Sequence, residues 1–189
     1  MTDESLLTQA ASGDETAFRT LYERHRDVVF RFAYRLLQSN ELAEEITHDC
    51  FLQLLRYPSR FDARRASLKT YLCSAARNLA LKHLRDYGSE SPLDEAEESA
   101  TVVLDAGQMH NLLQAEMVNE VRRAVADLPL LQREALILFE YEEMSLAEVA
   151  VIVGADVGAV KARLARAREN LRRSLAGYFR GTAIAAARK

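Results

Sequence analysis

Two stretches of the chain hold the side chains with the most chemistry to offer. In "RYPSRFDARRASLKTYLCSAARNLALKHLR", Arg56, Arg60, Arg64 and Arg65 flank Phe61, and a helix follows whose polar side shows Lys69, Tyr71, Ser74, Arg77, Asn78, Lys82 and Arg85. Cations at this density hold phosphates and aromatic faces stack on unpaired bases, so the combination suits single-stranded or melted nucleic acid. Tyr71 fits equally well as a boundary tyrosine, ring packed and hydroxyl in water. In "VGADVGAVKARLARAR", a tight turn runs into a basic helix. Helical spacing puts Val160, Leu164, Ala167 and Leu171 on one stripe, which should pack inward. The opposite face then presents Gly158, Ala159, Lys161, Ala162, Ala165 and Arg166, with Arg163 and Arg168 at its flanks. Small residues there permit close approach to a groove, and Lys161 and Arg166 can donate to base edges or phosphates. A merely solvated basic helix would interleave acids, yet Glu169 is the first acid after Asp156.

Other chemistry is poorly supported. Cys50 and Cys73 are the only cysteines, too few for a disulfide framework. His48 and Cys50 stand two apart, but on one helix they point in different directions and no second pair follows, so a buried cysteine beside an exposed histidine is expected and no metal. No glycine-rich phosphate loop or nucleophile constellation appears, so neither an enzyme nor a cofactor is expected.

The elements that must position these residues are helices. Ala, Leu, Arg and Glu dominate the 189 residues, alternating Val/Ile/Thr runs are absent, and there are only seven glycines and three prolines. This composition argues for an all-α protein, and the apolar fraction of 49% supports a buried core. A short helix around Ser5 to Ala11 should end at Gly13, with Asp14 capping the next. Ser39 and Asn40 offer caps to a helix over about Glu41 to Tyr57, ended by Pro58. Its apolar side carries Leu42, Ile46, Cys50 and Leu54, and its other side Glu44, Glu45, His48, Asp49 and Gln53. From the residues alone that polar side reads as a solvated face. Ser67 caps the following helix, whose buried stripe is Leu68, Leu72, Ala75, Ala76, Leu79 and Leu84.

From Asp86 through Val121 there is no lysine or arginine, and "DYGSESPLDEAEESA" is a linker by composition. Helical pattern returns near Met109. Pro129 starts another helix, Ser145 and Glu148 form a capping box for Leu146 to Val153, Gly154 supplies a turn, and Asp156 caps the basic helix. A short helix, a glycine turn and a longer basic helix make a helix-turn-helix. The expected organisation is thus two small helical domains, residues 1–86 and 117–178, joined by an acidic linker over 87–116, with a tail over 179–189. The N-terminus "MTDESLLTQAAS" lacks a basic start and an apolar run, and no stretch approaches the roughly 20 apolar residues that span a bilayer, so a cytoplasmic protein is expected.

Three segments together resemble one family: "ELAEEITHDCFLQLLR", "RFDARRASLKTYLCSAARNLALKHLR" and "LPLLQREALILFEYEEMSLAEVAVIVGADVGAVKARLARARENL" are similar to bacterial RNA polymerase sigma factors of the extracytoplasmic-function subgroup. That subgroup keeps two promoter-reading domains, region 2 and region 4. The resemblance implies that Glu44, Glu45, His48, Asp49 and Gln53 dock on the β′ clamp helices of core RNA polymerase, and that region 4 meets the β flap. It implies that Phe61, Arg64, Arg65, Ser67, Lys69, Tyr71, Arg77, Asn78 and Lys82 bind the −10 element as a single strand. It assigns Gly158, Lys161, Ala162, Arg163, Ala165 and Arg166 to duplex −35 DNA. It implies an anti-sigma factor as partner and no small-molecule substrate. The sequence departs from the family at Tyr71, where tryptophan is frequent, at Ala66, where glycine is usual, and at His48, which replaces a frequent glutamine. Ala162 and Ala165 stand where larger side chains are common. A net charge of −3 suits a protein that borrows affinity from a polymerase. The alternative, a stand-alone helix-turn-helix regulator, requires tight duplex binding by the free chain.

Overall fold

Helix starts follow the caps. In a computed structural model describing residues 1–87 and 106–186, the Asp14 carboxylate accepts from the Thr16 and Ala17 amides at 2.9 and 3.0 Å. This cap separates α1 (Asp3–Ala11) from α2 (Glu15–Leu37). Ser39 caps α3 (Asn40–Arg56), and a single 3₁₀ turn at Pro58–Arg60 leads into the basic loop. The Ser67 hydroxyl accepts from the Thr70 amide at 3.1 Å and so opens α4 (Leu68–Tyr87). No strand occurs among the described residues.

The second half begins with α5 (Ala106–Ala126), which starts three residues before the Met109 expected from periodicity and runs across position 117. Residues 88–105, the heart of the acidic linker, lie outside the described residues. Pro129 precedes α6 (Leu130–Leu136), which continues into one π-helical turn, Ile137–Tyr141. The capping box forms as expected: the Ser145 hydroxyl accepts from the Glu148 amide at 3.3 Å, while the Glu148 carboxylate accepts from the Ser145 amide at 2.9 Å. It opens α7 (Leu146–Val153), which ends at Gly154 in the left-handed conformation, φ +62°, where an L side chain would be strained. Asp156 then accepts from the Ala159 amide at 2.7 Å and starts α8 (Val157–Ala186), thirty residues and about 45 Å long. The expected tail therefore begins as a continuation of α8.

Buried apolar residues from both halves form one contiguous cluster. Phe32, Leu36, Phe51, Leu54 and Leu72 fill the N-terminal part, and Ile137, Leu138, Val149, Val160, Leu164 and Ala167 the C-terminal part. The stripe expected on α8 is buried as far as Ala167, with Leu171 half-buried. On α4 the stripe rotates slightly: Leu68, Leu72 and Ala76 are buried as expected, but Cys73 and Ala80 join them, while Ala75 and Leu79 are half-buried. The rotation follows from α7 packing against α4, which gives that helix two covered sides.

Candidate nucleic-acid and polymerase interface

The polar side of α3 is open. Glu44, Glu45, His48 and Gln53 are exposed and Asp49 is half-buried. Leu52 stands among them 55% exposed, an apolar residue on an otherwise charged face. His48 stacks on Tyr22, ring centroids 6.4 Å apart, and Tyr22 in turn meets Phe51 edge-on at 4.8 Å. The face is thus a rigid acidic surface backed by an aromatic cluster. Cys50 is buried on the opposite side of α3, as its spacing from His48 requires.

The basic loop and α4 divide into a free part and an engaged part. Phe61 and Tyr71 meet edge-on with centroids 5.6 Å apart, both partly buried against the core. Burial pushes the Tyr71 phenol above its ordinary range, so it stays protonated and able to donate. Asp62 accepts from the Arg64 amide and guanidinium at 3.0 and 3.1 Å, and these bonds hold its carboxyl below the usual range. This short turn fixes the loop and leaves the Arg64 and Arg65 side chains in water. Ser67 spends its hydroxyl on the helix cap. Asn78 and Lys82 are exposed farther along α4.

Lys69 and Arg77 point instead at the C-terminal half. The Lys69 ammonium donates to the Glu142 carbonyl at 2.7 Å. The Arg77 guanidinium grips Glu134 with Nε to Oε2 at 2.6 Å and Nη2 to Oε1 at 3.1 Å. Arg163 of α8 reaches the same carboxylate at 3.4 Å. Arg31 and Arg35 of α2 close on Glu142 at 2.9 and 2.6 Å, and the Arg35 guanidinium also lies over the Tyr141 ring. Both glutamate side chains are fully buried, 0% exposed. Arg133 donates to the Leu36 carbonyl at the end of α2 at 3.1 Å, and Thr70 donates to Glu148 of the capping box. Sequence reading missed Glu134, Glu142, Arg31, Arg35 and Arg133 as a set; all look like ordinary surface charges along the chain.

On α8, Gly158, Lys161, Ala162, Ala165 and Arg166 form an open face. A Cβ on Gly158 would meet the Asp156 carboxylate at 3.0 Å, so glycine there also gives the cap room. The two flanking arginines are engaged: Arg163 with Glu134, and Arg168 with Glu140 at 2.5 Å. Lys161 and Arg166 have no ion pair among the described residues and stay available.

A helix-turn-helix with an open basic face, joined to a helical module that carries an acidic face and an aromatic-basic loop, defines a two-part transcription protein. Comparison with known proteins agrees. Residues 21–90 match Sigma-70 region 2 and residues 119–171 match Sigma-70 region 4. The chain is 29% identical over 178 residues to the ECF RNA polymerase sigma factor SigW of Bacillus subtilis, covering 89% of this chain and 94% of that one. It is 30% identical over 167 residues to the ECF RNA polymerase sigma factor SigC of Mycobacterium tuberculosis, covering 88% of each. The chain belongs to the ECF RNA polymerase sigma factors. Its fold matches CnrH, solved in complex with the cytosolic domain of CnrY, with a TM-score of 0.67 and 23% identity over 93% of this chain and 97% of that one. It also matches the sigma factor RpoE of Bartonella quintana, solved with the anti-sigma factor NepR, with a TM-score of 0.65 and 25% identity over 84% and 96%.

Proposed function

We propose that the chain is an alternative sigma factor: it binds core RNA polymerase, selects promoters and starts transcription without catalysing a reaction itself. The observation that carries this reading is the presence, in one chain and in this order, of both promoter-reading modules. The acidic α3 face, Glu44, Glu45, His48, Asp49 and Gln53, is the docking surface for the β′ clamp helices, with Leu52 as its apolar centre. The loop and α4 supply the −10 contacts. There Arg64 and Arg65 hold backbone phosphates, while the Phe61–Tyr71 pair is the surface on which an unstacked base rests. Lys69, Arg77, Asn78 and Lys82 extend that track once the C-terminal module moves aside, and Ser67 shapes its entrance.

On the −35 side, Lys161 and Arg166 project from a shallow face whose glycine and alanines let the helix sit deep in a major groove. Arg163 joins them when Glu134 releases it. The modules divide as residues 1–86 and 117–178, with the acidic stretch between them lying toward the polymerase channels. As a partner of core polymerase the chain works in the cytoplasm; no helix among the described residues is long and apolar enough to cross a membrane. An anti-sigma factor is the expected regulator, because relatives are solved with one, as RpoE is with NepR.

The test is reconstitution. Purified chain is mixed with core RNA polymerase, and transcripts from genomic DNA are sequenced. Co-elution with core and a set of start sites absent with core alone is the expected result. Failure of both overturns the reading, and tight duplex binding without core would favour a stand-alone regulator.

A further inference from the structure

A groove beside the open face of α8 collects more hydrogen-bond donors than acceptors. It has a volume of about 410 Å³ and is lined by Gln132 of α6 and by Ala165, Arg166, Glu169, Asn170 and Arg173 of α8. A directed chain of bonds links its two walls. The Arg173 guanidinium donates to the Asn170 side-chain oxygen at 3.0 Å, and the Asn170 amide donates to the Gln132 side-chain oxygen at 2.8 Å. The Gln132 side-chain NH2 is left at the end of that chain, a donor with no acceptor among the described residues. Arg166 has no ion pair there either. The acid in the lining, Glu169, is already engaged, one oxygen by Arg172 and the other by the Arg173 Nε at 3.5 Å. Free donors and net positive charge complement a phosphodiester, which offers acceptors only.

Helix geometry selects the phosphodiester. Arg166 and Arg173 stand two turns apart on one face of α8. At about 1.5 Å per residue, Arg173 lies about 18 Å along the axis from Lys161. A major groove is about 12 Å wide and about 8.5 Å deep. With Lys161 at base edges, Arg173 is carried past the groove to the level of the strand that borders it, and the Asn170 bond keeps Gln132 beside it. Alanine at 162 and 165 gives this contact a task. Two methyl groups offer bases few directional contacts, so the register of the helix falls to backbone contacts.

We propose that Gln132 and Arg173 seat one phosphodiester bordering the −35 element and thereby fix the register of α8, with Asn170 as the positioning residue between them. The proposal rests on the sigma-factor reading for the identity of the duplex.

The test pairs side-chain variants with single methylphosphonates, which remove one phosphate charge at a time. Holoenzyme is assembled from core polymerase and the full chain. Its affinity is measured for a promoter duplex from the reconstituted start sites, scanned through and beside the −35 element. Gln132→Glu keeps the side-chain size and turns the free donor into an acid. It should bind the natural duplex about tenfold weaker than the wild type. On the duplex neutralised at the seated phosphate the two proteins should differ by less than about twofold, because the loss comes from that one contact. Arg173→Gln should converge with the wild type at the same position. Arg123→Gln, the same charge change at an exposed site on α5, should show no such position.

A loss in Gln132→Glu and Arg173→Gln that is the same on every duplex overturns the proposal and assigns both residues to α6–α8 packing. No loss on any duplex overturns it as well. Should circular dichroism show that Gln132→Glu has lost helix, Arg173→Gln carries the test alone, since that side chain is 71% exposed. The sigma-factor reading fails by a different sign: base changes in the −35 element would leave wild-type affinity unchanged, whichever way the methylphosphonate scan falls.

Discussion

The polar sides of α3 and α4 look alike along the chain and fare differently in the fold. Each is a run of charged and amide residues opposite an apolar stripe. The α3 side is largely open to water, touched by the Tyr22 ring at His48, whereas Lys69, Thr70 and Arg77 on α4 are bonded to Glu142, Glu148 and Glu134 of the C-terminal module. The difference lies in charge complementarity. The α3 face is acidic and so offers no counter-charge to Glu134 and Glu142 of the C-terminal module. The α4 face is basic and pairs with them. What differs between the two polar faces is whether the chain covers them from within: α4 is met by the C-terminal module and α3 is left open.

The contrast can be tested from its strongest element downward. Phe51 lies behind the α3 face, 1% exposed between Phe18 and Tyr22. Phe51→Ala should cost about 3–5 kcal/mol in urea unfolding, showing that stability resides on the buried side of α3. Asp49→Lys on the open side should weaken co-elution with core polymerase about tenfold. Its unfolding free energy should stay within about 0.5 kcal/mol of the wild type, and a larger loss would mean the face is structural.

Arg166→Ala on the free face of α8 should cost about 1–3 kcal/mol in binding to −35 duplex within the holoenzyme, with core binding intact. Equal loss of core binding would show that the residue acts through folding. The smallest effect concerns the capping box. The Ser145 hydroxyl and amide hold the Glu148 carboxyl below its ordinary range. Its contribution is therefore complete above the unfolded value, about 4.3, and disappears as pH falls through the folded value. Glu148→Gln should cost about 1 kcal/mol at neutral pH, a difference that shrinks on acidification below pH ~4.

What was legible in the sequence was local. Asp14, Ser39, Ser67, Ser145 with Glu148, Gly154 and Asp156 each act within four residues of themselves, and each does what its type and position require. The α8 stripe and the open face opposite it were readable for the same reason. Glu134 and Glu142 were not. Their partners lie 57 residues away at Arg77 and more than a hundred away at Arg35 and Arg31, and no periodicity marks a charge that will be buried by a distant helix. The π turn at Ile137–Tyr141, which packs against α2 and α7, was equally silent, since no single residue type marks it.

The two buried cysteines give the N-terminal module a reporter of its own. Desolvation raises the Cys50 thiol far above its ordinary range and pushes Cys73 up to about 12, so neither carries thiolate at neutral pH while its helix is packed. Both lie under α3 and α4, and the C-terminal module contains no cysteine. Cys73 lies on the side of α4 that α7 covers, so alkylation of Cys50 will time openings within the N-terminal module, while Cys73 will also respond when the two halves part.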